Sequence, residues 1–239
     1  MGSLYIVSTP IGNRGDISLR ALEVLSKAEM ILCEDTRKTG LLLKGYEESQ
    51  GKVFKARLIS FYEENEEKRI LQVIDWLKQG KEIALVTNSG TPLVSDPGFK
   101  LVRECVREKI PVSPIPGASA LLAGLVISGL ATDKFMFLGF LPKKQGKKEK
   151  LLEKVKEIQK IIPQTVIFYE SPFRIVRTLK MLEQILPEVE VVVGRELTKK
   201  FEEVERGRPK EVLNRLQDKK IKGEITVMLN AKGVLKNTP

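Results

Sequence analysis

Apolar and polar positions along the 239-residue chain follow two periods in turn. Short apolar runs bounded by turn residues predict strands at Leu4–Ser8, Met30–Cys33, Arg57–Phe61, Ile83–Val86 and Val112–Pro114. Between them the spacing becomes helical. Ser18–Ala28 sets Leu19, Leu22 and Leu25 on one face, Thr36–Leu43 predicts a short helix, Glu66–Lys78 is closed by Gly80, and Gly98–Arg107 completes the series. Strand and helix alternating in this way predict a mainly parallel sheet with helices on both faces.

Past the "PIPG" at Pro114–Gly117 the pattern changes. Ala118–Ser128 is almost wholly apolar and predicts a buried helix. Phe135–Phe140 reads as a strand and Lys147–Ile162 as a Lys-rich amphipathic helix. Further strands are predicted at Thr165–Tyr169, Val189–Arg195, Phe201–Glu205 and Glu224–Asn230, with helices at Pro172–Leu186 and Pro209–Gln217. Consecutive strands over 189–205 predict antiparallel pairing. The chain is thus expected to be α/β, with an N-terminal α/β domain over 1–115 and a C-terminal α+β domain with a mixed sheet over 116–239.

Charge sharpens this division. Residues 1–115 carry 17 Lys+Arg against 16 Asp+Glu, whereas 116–239 carry 24 against 15, giving most of the net +10. A basic second half favours a polyanionic partner, nucleic acid first, over a merely solvated Lys/Glu-rich surface. No apolar run is long enough to span a bilayer and no signal-type segment opens the chain, so a cytoplasmic protein without a membrane partner is expected. Cys33 and Cys105 lie in apolar-periodic segments and read as buried thiols. With no histidine and only these two cysteines, no metal site is expected, and the commonest general base is missing.

The candidate chemistry sits where strands end. "TPIGN", "TNSGTPLVSDPG" and "PIPGASA" each follow a predicted strand, at the place where ligands bind open parallel sheets. Glycine permits close backbone approach and proline keeps a loop ordered before binding. The hydroxyls of Thr91, Ser95 and Ser119 are candidate partners for a polar cofactor. Neither GxxxxGK[ST] nor a strand-linked GxGxxG occurs, which disfavours a nucleotide triphosphate or a dinucleotide. Acid, hydroxyl and Arg recur together in "CEDTRKTG" (Glu34, Asp35, Arg37) and "FYESPFR" (Glu170, Arg174), with Pro172 suited to a first helical position. "GRELTKK" adds Arg195, Glu196 and Lys199. The acids of "FYEENEE" read instead as helix caps. "GFLPKKQGKKEK", with Lys143, Lys144, Lys147 and Lys148, is either a mobile loop that lies along phosphates or a solvated lead-in to a surface helix.

These stretches, together with "LYIVSTPIGNRGDISLRALEVL" and "SGLATDKFMFLGFLPKK", resemble the ribosomal RNA small subunit methyltransferase I family from Leu4 to about Val227. The resemblance implies the tetrapyrrole-methylase fold, two α/β domains with S-adenosyl-L-methionine in the cleft between them, and a homodimer. It implies 2′-O-methylation of a cytidine ribose in 16S rRNA of the small ribosomal subunit. It carries cofactor binding onto Pro10, Ile11, Gly12, Ser89, Gly90, Thr91, Val94, Ser119, Ala120, Tyr169 and Leu197. RNA-facing roles fall on Asp35, Arg37, Glu170, Arg174 and Lys199. Three departures stand out: Asn88 replaces an acid usual in the family, Ala118 replaces a proline, and both histidines of a family motif are missing from Ser60–Glu66.

Methyl transfer to a ribose hydroxyl requires alignment with the donor and late removal of the proton. Glu170 and Asp35 are candidate acceptors, and Lys199 is one only if its pKa is strongly lowered. Two other readings stay open: a C-methyltransferase acting on a tetrapyrrole precursor of cobalamin on the same fold, and a non-catalytic RNA-binding module.

Overall fold

A computed structural model describes residues 1–231. The chain forms two compact units, one from Met1 to Ser119 and one from Ala120 onward.

The first unit contains β1 (Leu4–Val7), α1 (Leu19–Lys27), β2 (Met30–Cys33), α2 (Thr36–Gln50), β3 (Arg57–Ser60), α3 (Glu66–Lys78), β4 (Ile83–Val86), α4 (Phe99–Arg107) and β5 (Val112–Ile115). Its five strands are all parallel, in the order β3-β2-β4-β1-β5. Side chains alternate across the pleat. Leu4, Leu32, Ile83 and Leu85 pack on one face with Val73, Leu77 and Leu101 from α3 and α4. Val7, Ile31, Ala84 and Val86 pack on the other with Ala21, Leu25 and Leu43 from α1 and α2. Helices on both faces bury both sides of the inner strands, which is why these read as continuous apolar runs.

α2 runs well beyond the short helix expected, ending at a left-handed Gly51 with φ 65°. The run is carried by Tyr46, whose buried hydroxyl donates to the Arg14 carbonyl at 2.7 Å. Gly45, which makes the sequence look broken, leaves room for the Arg14 guanidinium.

The second unit contains α5 (Ala120–Ser128), β6 (Phe135–Phe140), α6 (Gln145–Ile161), β7 (Thr165–Glu170), α7 (Ile175–Ile185), β8 (Glu190–Arg195), β9 (Glu203–Gly207), α8 (Pro209–Leu216) and β10 (Ile225–Asn230). Its sheet, β6-β7-β10-β8-β9, is mixed: β6 is parallel to β7, and the other pairs are antiparallel. α6, α7 and α8 cover one face through Leu152, Val155, Leu179, Leu182, Val212 and Leu216. α5 lies on the other, where a Cβ at Gly124 would sit 2.9 Å from the Met228 sulfur. The α/β class, the parallel first sheet and the mixed second sheet agree with the sequence reading. β9 starts two residues later than expected, because residues 196–202 form a tight connection rather than strand. α7 starts at Ile175, so Pro172 stands in the turn before the helix and not at its first position. Cys33 and Cys105 are free and buried, and burial pushes the Cys105 thiol up to about 11.

Candidate active site

The order β4-β1-β5 brings the three turn-rich segments together at one carboxyl edge of the first sheet. They are bonded to one another. Thr9 and Gly90 exchange backbone hydrogen bonds of 2.9 and 3.0 Å, and the Thr9 hydroxyl donates to the Thr87 carbonyl at 3.2 Å. The Thr91 hydroxyl donates to the Ala118 carbonyl at 3.0 Å and meets the Ser8 hydroxyl, also at 3.0 Å. Thr91 therefore ties the β4 loop to the β5 loop and to the end of β1. Gly90 holds φ +87°, and a Cβ there would meet the Ile11 methyl at 3.3 Å. A Cβ at Gly117 would sit 3.0 Å from that of Ser8. Pro10 and Ile11 are buried, Gly12 is exposed, and Ser89, Val94 and Ser119 are half-buried. Val94 is flanked by Leu93 and Ser95, both left-handed at φ 69° and 66°.

A polar cavity of about 680 Å³ opens at the ends of β2, β3 and β4, lined by Asp35, Arg37, Tyr62, Asn88, Asp96 and neighbouring residues. Asp35 caps α2 by accepting the Arg37 amide at 3.0 Å, and its two oxygens accept the Arg37 guanidinium at 3.2 and 3.1 Å. The guanidinium and these amide bonds hold the Asp35 carboxyl below its ordinary range. Asn88 donates to Glu34 at 2.6 Å, leaving its buried Oδ1 without a hydrogen-bond partner. Nearby, the buried Glu66 accepts the Gly98 amide at the start of α4, the capping role expected for that acidic stretch.

In the second unit, "FYESPFR" becomes a buried ionic network. One Glu170 oxygen accepts Lys148 Nζ at 2.9 Å and the Thr178 hydroxyl at 2.6 Å. The other accepts Arg174 at 2.6 Å and the Ser171 amide at 2.8 Å. This corrects two sequence expectations. Lys148 is not a loop cation lying along phosphates; it is 5% exposed and its ammonium faces inward from the first turn of α6. Glu170 has both oxygens occupied and no solvent exposure of its side chain, so it is not placed to take a proton from a substrate. Arg174 points inward as well, donating to the Leu141 carbonyl at 3.2 Å. Lys143, Lys144 and Lys147 are exposed.

Lys199 bonds Glu196 and Glu224, both at 2.8 Å. Partial burial alone lowers an ammonium pKa, but the two carboxylates outweigh it and hold Lys199 above its ordinary value. The acceptor role requires the opposite shift, so this pairing argues against Lys199 as the base. Leu197 is buried against Gly194, between the left-handed Glu196 and Thr198. Tyr169 packs against Phe137 and Phe140, with ring centroids 5.0 and 5.4 Å apart.

Residues 3–213 match the family Tetrapyrrole (Corrin/Porphyrin) Methylases. The chain is 43% identical over 232 residues to ribosomal RNA small subunit methyltransferase I of Thermotoga maritima, covering 97% of this chain and 100% of that one. It is 41% identical to the protein of the same name from Bacillus subtilis, covering 96% of this chain and 75% of that one. The chain belongs to the ribosomal RNA small subunit methyltransferase I family. That family consists of S-adenosylmethionine-dependent methyltransferases within the tetrapyrrole methylases. Solved structures of the same fold include a cobalt precorrin-4 methyltransferase (TM-score 0.68, 17% identity, 95% of this chain and 94% of that one). Another is the uroporphyrin-III C-methyltransferase of Thermus thermophilus complexed with S-adenosyl homocysteine (TM-score 0.62, 18% identity, 95% and 97%).

The structure adds three features to the sequence reading. Asn88 occupies the family's usual acid position and carries the orphaned acceptor. Lys148 and Thr178 are the inward partners of Glu170. For Thr178 the only signal was its spacing, eight residues beyond Glu170 and on the inner face of α7. For Lys148 the signal is helical spacing: within a Lys-rich stretch it shares a face with Leu152 and Val155.

Proposed function

We propose that this methyltransferase transfers the methyl group of S-adenosylmethionine to the 2′-hydroxyl of a cytidine in 16S rRNA of the small ribosomal subunit. The full-length identity to relatives named for that RNA carries the reading. The solved cobalt precorrin-4 and uroporphyrin-III methyltransferases are 17–20% identical to this chain, against 43% for the rRNA methyltransferase of Thermotoga maritima, so a corrin-type substrate is not favoured.

The β1, β4 and β5 loops fit the cofactor chemically. They present small side chains, two positions where a Cβ would crowd a neighbouring loop, and a hydroxyl lacing that keeps them ordered beforehand. Bound there, S-adenosylmethionine supplies an already activated methyl group. Pro10, Ile11, Gly12, Ser89, Gly90, Val94 and Ser119 would hold it, with Thr91 fixing the loop geometry. In the second unit Ala120, Tyr169 and Leu197 are the further cofactor candidates. Asp35 lines the polar cavity at the ends of β2, β3 and β4, and its carboxyl, paired with Arg37, is a weak base. The chain's part is then chiefly alignment of the hydroxyl, with Asp35 and Arg37 orienting the nucleotide. Lys143, Lys144 and Lys147 would contact phosphates. The protein would act as a homodimer, using the exposed Leu122 and Val126 of α5.

The test is incubation of small ribosomal subunits with labelled S-adenosylmethionine, followed by mapping of the modified nucleotide. Label on a cytidine ribose supports the reading. Label on a base, or none on RNA, removes it.

A further inference from the structure

β7 and β8 both run antiparallel to β10, and β6 runs parallel to β7, so the loops leaving β6, β7 and β8 emerge at one edge of the second sheet. Two phenylalanines stand in water there. Phe173, in the turn after β7, is 91% exposed, and Phe201, in the connection after β8, is 66% exposed. Neither is on a loose segment. The Ser171 hydroxyl accepts the Phe173 amide at 3.3 Å, and the Arg174 amide bonds the Ser171 carbonyl at 2.9 Å. The Arg174 side chain is in turn held by buried Glu170. Around Phe201, Glu202 accepts the Thr198 amide at 2.6 Å and donates its own amide to the Lys199 carbonyl at 3.1 Å. Ordered turns thus fix two apolar rings where burial gains them nothing.

Lysines share this edge. Lys143 and Lys144 are exposed in the turn after β6, Lys147 is exposed in the first turn of α6, and Lys200 lies with Nζ 5.7 Å from the Phe201 ring centroid. Exposed rings set among ammonium groups match the surface that binds an unpaired strand, with phosphates on the cations and base faces on the rings. A duplex keeps its base faces stacked within the helix and offers the rings no partner.

We infer that Phe173 and Phe201 stack on unpaired bases of the RNA substrate, so that this edge selects single-stranded over duplex RNA. The inference rests on the RNA reading above and adds to it two residues and a required state of the RNA.

The experiment measures fluorescence anisotropy of a short unpaired oligoribonucleotide and of a duplex containing the same sequence, over a range of salt. The proteins are the wild type, Phe173→Ser, Phe201→Ser, Phe173→Tyr and the triple Lys143/Lys144/Lys147→Gln variant. Each Ser variant is expected to bind the unpaired strand roughly 5- to 100-fold more weakly with an unchanged salt slope. Its duplex binding and its calorimetric affinity for S-adenosylmethionine should match the wild type. Phe173→Tyr should retain affinity. The Lys variant should flatten the slope by about 0.7 per lost contact. Wild-type affinity in both Ser variants, equal losses on unpaired and duplex RNA, or dissociation of a dimer with intact RNA binding would each overturn the stacking role. If the wild type itself binds neither RNA, this inference fails, while the RNA reading stands or falls separately on the methylation of small ribosomal subunits.

Discussion

The Lys148 ammonium lies 2.9 Å from the Glu170 carboxylate inside the second unit, and the Thr178 hydroxyl bridges to both at 2.8 and 2.6 Å. A charge pair taken out of water is stable only while both members remain. The pair also places what surrounds it. Lys148 fixes the start of α6, and Arg174, on the other Glu170 oxygen, fixes the Leu141 carbonyl. The basic turn carrying Lys143 and Lys144 is therefore anchored at both ends.

Removing one partner should cost far more than a surface pair would. Lys148→Met and Glu170→Gln should each lower the unfolding free energy by about 3–5 kcal/mol. Urea denaturation measures this. Lys143→Gln, on the exposed turn, should change it by less than about 0.5 kcal/mol. Similar values for all three would mean the interior pair is not the anchor.

Thr91→Val removes the hydroxyl that ties the β4 loop to Ala118 and leaves that carbonyl unpaired. We expect a loss of about 1–3 kcal/mol in stability and a several-fold weaker affinity for S-adenosylmethionine by calorimetry. Ser119→Val should weaken the cofactor with a smaller effect on unfolding. Gly90→Val is the poorer probe, since φ +87° strains any side chain there whether or not a ligand is present.

Asn88→Asp would set a second carboxylate where the amide now donates to Glu34 at 2.6 Å. Like charges so close raise the folded-state pKa of one of the two above its unfolded value. The variant's stability relative to wild type is then fully present below the unfolded carboxylate pKa and falls as pH rises through the raised one. Melting temperatures compared at acidic and neutral pH should diverge in that direction. Parallel curves would show that the cavity screens the two acids.

Lys199, with its pKa above the ordinary value, stays charged throughout neutral pH. Its ion pairs contribute stability that is fully present below the unfolded lysine pKa and is lost only as pH rises through the raised value. Lys199→Met should therefore leave the shape of the single-turnover pH profile near neutrality unchanged. A rate step that disappears only in this variant would restore the lysine as proton acceptor.

Sequence patterning made most of the architecture readable, because strands buried on two faces advertise themselves as apolar runs and the turns between them are rich in Gly and Pro. The three loops of the first edge were legible for the same reason. What stayed hidden depended on partners distant in the chain. Lys148 looked like one more surface lysine because its carboxylate lies 22 residues away across a helix and a strand. Lys199 reads as tunable in the sequence because its partner Glu224 lies 25 residues further along the chain. Asp35 was recognisable, but its bidentate hold on Arg37 is a matter of side-chain geometry that no spacing reveals.

The strand order also has a temporal side. β1 is the first strand of this unit to leave the ribosome, yet it pairs with β4 and β5, Leu4 lying opposite Ile83 and Val112. Its partners are the last two strands of the unit to be made. The newborn segment must wait, with Tyr5 to Val7 unpaired, until nearly the whole unit has emerged. Non-local parallel pairing of this kind closes slowly and exposes apolar chain meanwhile. The first unit is then in need of chaperone cover until β5 has been made. Pausing translation shortly before Val112 should prolong that need, whereas pausing after Ile115 has cleared the exit tunnel should relieve it.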